Sequence, residues 1–174
     1  MPRTFLPAVT VAAVIESEGR FLLVEEHTAD GVRINQPAGH LEARESLHDA
    51  VVREVLEETA HVFVPAALIG VYLWRGEPWA DGHLPPTYLR FAFCGTVHER
   101  IAGRALDDGI IRTLWMDESQ MRATRDRHRS PLVMQCVEDY RRGQRVGLDL
   151  LFTHPGIFDS TGSSIGAAGA GLRE

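Results

Sequence analysis

Hydrophobic residues occur in short runs along the first part of the chain, and turn-forming residues separate the runs. The segment from Ala8 to Ile15 is apolar and rich in β-branched residues, Ser17 to Arg20 is typical of a turn, and Phe21 to Glu26 is typical of a second strand. The pattern therefore predicts a β-hairpin with one strand deep in the core. After it, Pro37 and Gly39 indicate a loop with a turn.

A helical pattern runs from Ser46 to about Thr59, and Ser46 with Asp49 fits a capping box at its start. Further strands are predicted near 67–75, 87–97 and 110–116. A short helix is predicted from Asp117, and a longer one over 131–142 with Pro131 at its first position.

Two segments lack such a pattern. Residues 76–86, which include Trp79 and His83, are predicted to form an exposed excursion between two strands. After about Leu151 the chain consists largely of Gly, Ser and Ala without periodicity. We therefore expect one domain over residues 1–152 and a mobile tail over 153–174.

Composition and charge narrow the class of protein. The 174 residues carry a net charge of −6, which makes a nucleic-acid partner improbable, and no run is long enough to span a membrane. All 18 basic residues are Arg, so neither a Schiff-base lysine nor a Walker-type phosphate loop is present. Cys94 and Cys136 are expected to be core thiols, and the protein is expected in the cytoplasm, as a monomer or homodimer.

The central helix carries the main chemical signal. At about 100° per residue, Glu54, Glu57 and Glu58 fall on one flank, and Arg53 lies four residues from both Asp49 and Glu57, so it can pair with either. Three adjacent carboxylates repel one another unless a cation compensates, and Mg²⁺ takes such oxygen ligands together with phosphate oxygens. The alternative for a Glu-rich helix is a solvated acidic face.

The residues around this flank favour the metal hypothesis. From Gly39 the chain reads Gly-His-Leu-Glu-Ala-Arg-Glu-Ser-Leu-His-Asp-Ala-Val-Val-Arg-Glu-Val-Leu-Glu-Glu-Thr-Ala-His. This segment resembles the Nudix box, and the positions that match in type and spacing are Gly39, Glu45, Arg53, Glu54, Val55, Glu57 and Glu58. Ala60 and His61 depart from it, where the box has a Gly and an aliphatic residue. Ala60 at a left-handed helix end would be strained by about 1 kcal/mol.

The resemblance implies an α/β/α sandwich with a mixed β-sheet, in which the box forms a catalytic loop, helix and loop. It implies Mg²⁺, with Mn²⁺ as an alternative, bound by Glu54, Glu57 and Glu58 with the Gly39 carbonyl. Glu45 and Arg53 would support these ligands. The reaction would be attack of water on a phosphorus of a diphosphate linkage, with Glu54 as the first candidate for the base.

Segments outside the box resemble a bacterial Nudix phosphatase branch, among them Asn35-Gln-Pro-Ala-Gly-His-Leu-Glu42 and Arg129-Ser-Pro-Leu-Val133. That branch hydrolyses nucleoside tri- and diphosphates and thiamine-pathway pyrophosphates. Three alternatives remain: a Nudix hydrolase of ADP-ribose, a nucleotide sugar or a dinucleoside polyphosphate; a Nudix module that senses a nucleotide without cleaving it; and an RNA-decapping enzyme, which the acidic balance disfavours.

Further candidates lie outside the box. Asp107 or Asp108, ahead of a late strand, would add a metal ligand, and Asp108 is our choice, although ordinary turn chemistry explains both residues equally well. Arg90 alternates with aromatic residues and is expected to meet substrate phosphate, as is Arg129 near a helix start, and the alternative for both is a solvated surface charge. Trp74 is a candidate for stacking on a substrate ring, although a strand Trp is more often part of the core.

Overall fold

The computed structural model describes residues 5–77 and 83–159. Its seven strands are β1 (Ala8–Ser17), β2 (Arg20–Thr28), β3 (Gly31–Asn35), β4 (Ala38–His40), β5 (Phe63–Arg75), β6 (Thr87–Val97) and β7 (Ile110–Met116). Its three α-helices are α1 (Leu47–Thr59), α2 (Glu118–Ala123) and α3 (Leu132–Arg141). Short 3₁₀ turns lie at Arg125–Arg127, Leu148–Leu150 and Pro155–Ile157.

The strands form one mixed sheet with β1 at its centre. Strand β1 runs parallel to β6 and antiparallel to β4, and its last residues, Glu16 and Ser17, pair antiparallel with β2. Strand β2 in turn pairs with β3 and β7, and β6 pairs with β5. Because β1 changes partners along its length, it joins the two halves of the sheet.

Helices cover both faces of this sheet. The face that carries Val14 packs in one apolar cluster with α3, and the face that carries Val11 and Ile15 packs in a second cluster with α1. Successive side chains of a strand point to opposite faces, so a central strand that is apolar at nearly every position serves both clusters. The result is the α/β/α sandwich with a mixed sheet that the sequence predicted.

The first hairpin is confirmed. Strands β1 and β2 are joined by Glu18 and Gly19, whose φ angles are 51° and 79°. Two consecutive positive φ values are those of a type I′ turn, whose twist suits a tight hairpin. The hairpin therefore positions β2, which carries residues of the site described below.

Most of the predicted elements lie where the pattern placed them. Strands β6 and β7 coincide with the predicted ranges, β5 begins four residues earlier than predicted, and α3 follows Pro131 rather than including it. The interpretation of Pro37 and Gly39 as a loop with a turn holds for Pro37, which lies at a bend after β3, and is wrong for Gly39, which lies in β4. Strand β4 is only three residues long, and its pairing with β1 depends on chain-distant contacts that leave no period in the sequence.

Three further expectations have mixed outcomes. Cys94 and Cys136 are free and buried, as predicted. Residues 78–82 of the predicted excursion, which include Trp79, lie outside the described residues. Residues 160–174 of the predicted tail also lie outside them, and the division at 152 stays a prediction. Among the described residues, none of the helices has the length and apolar character needed to cross a membrane.

Candidate active site

Helix α1 presents the acidic flank. Its start is fixed by Ser46, whose hydroxyl accepts from the Asp49 backbone N–H at 3.0 Å while the Asp49 carboxylate accepts from the Ser46 N–H at 3.3 Å. Its end is at Ala60, which has φ 59° and ψ 23°, so the strained left-handed conformation expected of this residue is present. Between these ends Glu54 and Glu58 are buried and Glu57 is about one-third exposed.

Arg53 binds several carboxylates at once. Its Nε and Nη2 donate to the two oxygens of Glu45 at 3.0 and 2.9 Å, and its Nη1 donates to Glu54 at 2.8 Å and to Glu57 at 3.0 Å. A further bond from Nη2 reaches the His40 carbonyl at 3.0 Å. Of the two partners that the helical spacing allowed, Glu57 is therefore the one observed, because Asp49 is engaged in the helix cap.

These contacts set the charges of the flank. The hydrogen bonds from Arg53 lower the pKa of Glu45, and they raise the pKa of Arg53 itself. Arg53 is therefore a fixed cation in the middle of the carboxylates. It favours the ionised form of Glu54 and holds the side chains of Glu54 and Glu57 in place.

Strand β4 lies directly against two of the carboxylates. A Cβ added to Gly39 would overlap the Glu54 carboxylate, so the close approach of Glu54 to the strand requires glycine at this position. The Ala38 backbone N–H donates to Glu58 at 2.8 Å. The chain thus holds Glu54 and Glu58 against the backbone of β4.

Burial makes these two carboxylates costly to ionise. Desolvation raises the pKa of Glu58 to about 9, although the Ala38 N–H opposes the shift, and the charge of Glu54 adds to it. Desolvation likewise raises the pKa of Glu54, against the hydrogen bond and charge of Arg53. Within residues 5–77 and 83–159, no group of three or more His, Cys, Asp or Glu side chains is arranged to hold a metal ion.

A cavity of about 660 Å³ lies next to β4, and all three residues of that strand line it. The cavity also brings together the three predicted substrate-binding residues, Trp74, Arg90 and Arg129. Arg90 is 8% exposed, its Nε and Nη1 have no hydrogen-bond partner among the described residues, and burial lowers its pKa. Trp74 stacks on Tyr88 with ring centroids 5.8 Å apart, so one aromatic wall faces the cavity.

The structure distinguishes the two aspartates ahead of β7. The Asp107 backbone N–H donates to the Glu57 carbonyl at 3.0 Å, and the charge of Asp107 raises the pKa of both Glu54 and Glu58. The charge of Asp108 is not among the main causes of either shift. The arrangement favours Asp107 over Asp108 as the aspartate near the acidic flank, and the assignment of a metal ligand here stays a prediction.

Three cavity residues were missed by the sequence reasoning. Thr10, Glu26 and Asn35 line the cavity, and each has a buried side-chain oxygen without a hydrogen-bond partner among the described residues. They come from β1, β2 and β3 and share no motif. One weak signal was available, since each is a polar residue at or next to an apolar strand segment.

The raised pKa of Glu58 predicts how the stability of the metal-free protein depends on pH. The carboxyl keeps its proton in the folded state up to about pH 9 and releases it in the unfolded state above about 4.5. The folded state then binds more protons over this window, so the free energy of unfolding should fall as pH rises, by at most about 1.4 kcal/mol per pH unit from this group.

Chemical unfolding of the chelator-treated protein between pH 5.5 and 8.5 measures this slope. Glu58→Gln, which resembles the protonated carboxyl, should flatten the slope, and Glu99→Gln, an equal charge change in an exposed loop, should leave it unchanged. A slope that is the same in all three proteins would contradict the pKa of Glu58.

Comparison with known proteins places this arrangement in a family. The model of the NUDIX domain matches residues 4–136. Phosphatase NudJ of Escherichia coli (strain K12) is 36% identical over 147 residues, which cover 84% of this chain and 92% of the relative.

Solved structures agree with that match. A NUDIX hydrolase from Nitrosomonas europaea is 49% identical, with a TM-score of 0.79, and the alignment covers 86% of this chain and 98% of that chain. A MutT NUDIX hydrolase from Burkholderia pseudomallei, 21% identical with a TM-score of 0.57 and coverage of 77% and 98%, shares the fold. The chain therefore belongs to the Nudix hydrolase family and is an enzyme that acts on phosphorus anhydrides.

Proposed function

We propose that the enzyme is a Mg²⁺-dependent hydrolase, with Mn²⁺ as an alternative metal, of a diphosphate linkage in a compact substrate. The substrate would be a nucleoside tri- or diphosphate or a thiamine-pathway pyrophosphate. The observation that carries the proposal is the position of β4, which contacts the α1 carboxylates and also lines the cavity. A substrate held in the cavity would have its phosphates beside the carboxylates.

The carboxylates suit a hard divalent cation in their chemistry, although Arg53 holds Glu54 and Glu57 here and no three side chains of the described residues are arranged around a metal position. Glu54, Glu57 and Glu58 are all oxygen donors, and two of them have raised pKa values because they are buried near one another. Gly39 leaves the space that a Cβ would fill beside Glu54. When bound, such a cation neutralises charge on phosphate oxygens and lowers the pKa of bound water.

The surrounding residues have separate proposed roles. Glu54 would take a proton from the attacking water, because Arg53 at 2.8 Å favours its ionised form against the effect of burial. Glu45 would fix Arg53 through the two bonds between them. Arg90 and Arg129 would contact phosphate oxygens from the cavity wall, and Arg90 has N–H groups at Nε and Nη1 that no described residue pairs.

The relative and the cavity both favour a compact substrate. The 36% identical relative carries the name phosphatase, and the cavity of about 660 Å³ is partly bounded by Pro85, Pro86 and the Trp74–Tyr88 pair. A large group beyond the pyrophosphate, as in ADP-ribose, would have to extend past this wall. The free buried thiols of Cys94 and Cys136 support our further proposal that the enzyme works in the cytoplasm.

The metal role of the flank predicts the behaviour of Glu57→Gln. This variant keeps the hydrogen-bond acceptor of Glu57 but loses its charge, so kcat should fall by about two orders of magnitude or more, and the Mg²⁺ concentration needed for half-maximal rate should rise. Circular dichroism should show an intact fold.

The matched control is Glu118→Gln, which also removes a carboxylate paired with an Arg four residues away on a helix. It should keep the wild-type rate. Near wild-type turnover of Glu57→Gln at limiting Mg²⁺ would contradict the assignment of Glu57 as a ligand.

Substrate choice is tested by comparing kcat/KM for hydroxymethylpyrimidine pyrophosphate, a nucleoside triphosphate and ADP-ribose under one set of conditions. The two compact substrates should be hydrolysed at least tenfold more efficiently than ADP-ribose, a difference of about 1.4 kcal/mol in transition-state free energy. A tenfold preference for ADP-ribose would overturn the proposed substrate class, and tight binding without hydrolysis of any of the three would instead support a sensing module.

A further inference from the structure

The cavity contains hydrogen-bond acceptors that the fold leaves unused. Asn35 is 6% exposed, and its Oδ1 has no hydrogen-bond partner among the described residues. Oε1 of the partly buried Glu26 also has no hydrogen-bond partner among them. Both residues line the cavity next to Ala38 and Gly39. A buried polar atom without a partner costs free energy, so two acceptors at one cavity wall indicate a ligand that donates hydrogen bonds.

The register of the β2–β3 pair puts these acceptors side by side. Val24 pairs with Asn35 and Glu26 pairs with Arg33, so Asn35 and Glu26 lie on one face of the ribbon as diagonal neighbours. Arg33 directs its Nη1 toward the Asp126 carbonyl at 3.5 Å. Asn35 and Glu26 therefore form one wall of the cavity, and each has a buried oxygen that no described residue pairs.

The charge of Glu26 acts on Arg90 and on Glu58, so this wall lies near the place proposed for phosphate. The Glu26 carboxylate would repel a phosphate group, whereas Arg90 and Arg129 at the same cavity attract one. The stacked Trp74–Tyr88 pair adds a flat aromatic surface. The cavity thus combines a cationic part for phosphates, an acceptor wall and a surface against which a planar ring can pack.

We propose that Glu26 and Asn35 select substrates whose group beyond the phosphates is a heterocyclic ring with an exocyclic amino group. This inference rests on the proposed function, since it concerns the same cavity. The amino group donates to Asn35 Oδ1 and Glu26 Oε1, and the amide nitrogen of Asn35 can donate to the adjacent ring nitrogen, as Asn does when it reads adenine. A ring with an oxo group at the same position would place its own acceptor oxygen against the acceptor oxygens of Asn35 and Glu26.

Two pairs of nucleotides test this selection in the wild-type enzyme. CTP and UTP, and likewise ATP and ITP, have the same phosphates and sugar and differ at the amino or oxo position and the adjoining ring nitrogen. We expect kcat/KM to favour CTP over UTP and ATP over ITP by about tenfold or more, because an unpaired acceptor is left against an oxo group. Ratios within twofold of one would overturn the inference.

Two variants identify the residues responsible. Glu26→Gln keeps the size of the side chain and adds an amide N–H donor. The kcat/KM for UTP should therefore rise, and the CTP/UTP ratio of kcat/KM should fall by about threefold or more. Asn35→Leu removes the second acceptor at similar volume, and it should reduce the ratio while UTP hydrolysis continues. Glu99→Gln, which makes the same charge change outside the cavity, should keep the wild-type ratio. An unchanged ratio in the folded Glu26→Gln protein would contradict the assignment.

Binding without turnover separates this inference from the proposed function. Calorimetric titration of the metal-free protein with CMP and with UMP should show tighter binding of CMP, and Glu26→Gln should reduce the difference. Equal hydrolysis of CTP and UTP would leave the hydrolase proposal intact and defeat the selection. Absence of all hydrolysis together with tighter CMP binding would defeat the hydrolase proposal and support the selection.

Discussion

The ion network of Arg53 is the interaction on which the rest of the site depends. One guanidinium donates to Glu45, Glu54 and Glu57, and it ties β4 to the helix through the His40 carbonyl. Without a cation at this point, several carboxylates would be crowded on one helical flank with only mutual repulsion. Because each of these bonds is between 2.8 and 3.0 Å, the network also fixes the orientation of the side chains. The acidic flank is therefore a structured part of the fold, in contrast to a solvated helix face.

Strand β4 converts this flank into a site with two parts. It donates the Ala38 N–H to Glu58, packs Gly39 against Glu54, and exposes its remaining surface to the cavity. At the α1 carboxylates, burial disfavours the ionised form. In the cavity, polar side-chain atoms have no hydrogen-bond partner among the described residues. Both are costs that a phosphorylated ligand with its cation would offset on binding. Seven strands and three α-helices of the described residues position these groups, and the three-residue strand β4 contacts both parts.

The sequence predicted the parts of the site that lie close together along the chain and missed those that converge from different strands. Helix α1 was predictable because its cap, its apolar face and its carboxylates all follow the helical period. Helical spacing could not predict whether Arg53 pairs with Asp49 or Glu57, because the Asp49 carboxylate is also needed for the helix cap. Strands β3 and β4 and the cavity residues Thr10, Glu26 and Asn35 escaped notice, since pairing across the sheet decides where they lie. Arg90 was identified only because it interrupts an aromatic strand.

We propose that a divalent cation completes the buried carboxylates of α1. Burial holds the pKa of Glu58 at about 9, so this carboxyl is protonated in the metal-free protein at pH 7.5 and must lose its proton to become a ligand. Calorimetric titration with Mg²⁺ at pH 7.5, in buffers with different ionisation enthalpies, counts the protons released. The account predicts release of about one proton per bound Mg²⁺ in the wild type and clearly less in Glu58→Gln. Saturable Mg²⁺ binding without proton release, equal in both proteins, would contradict it.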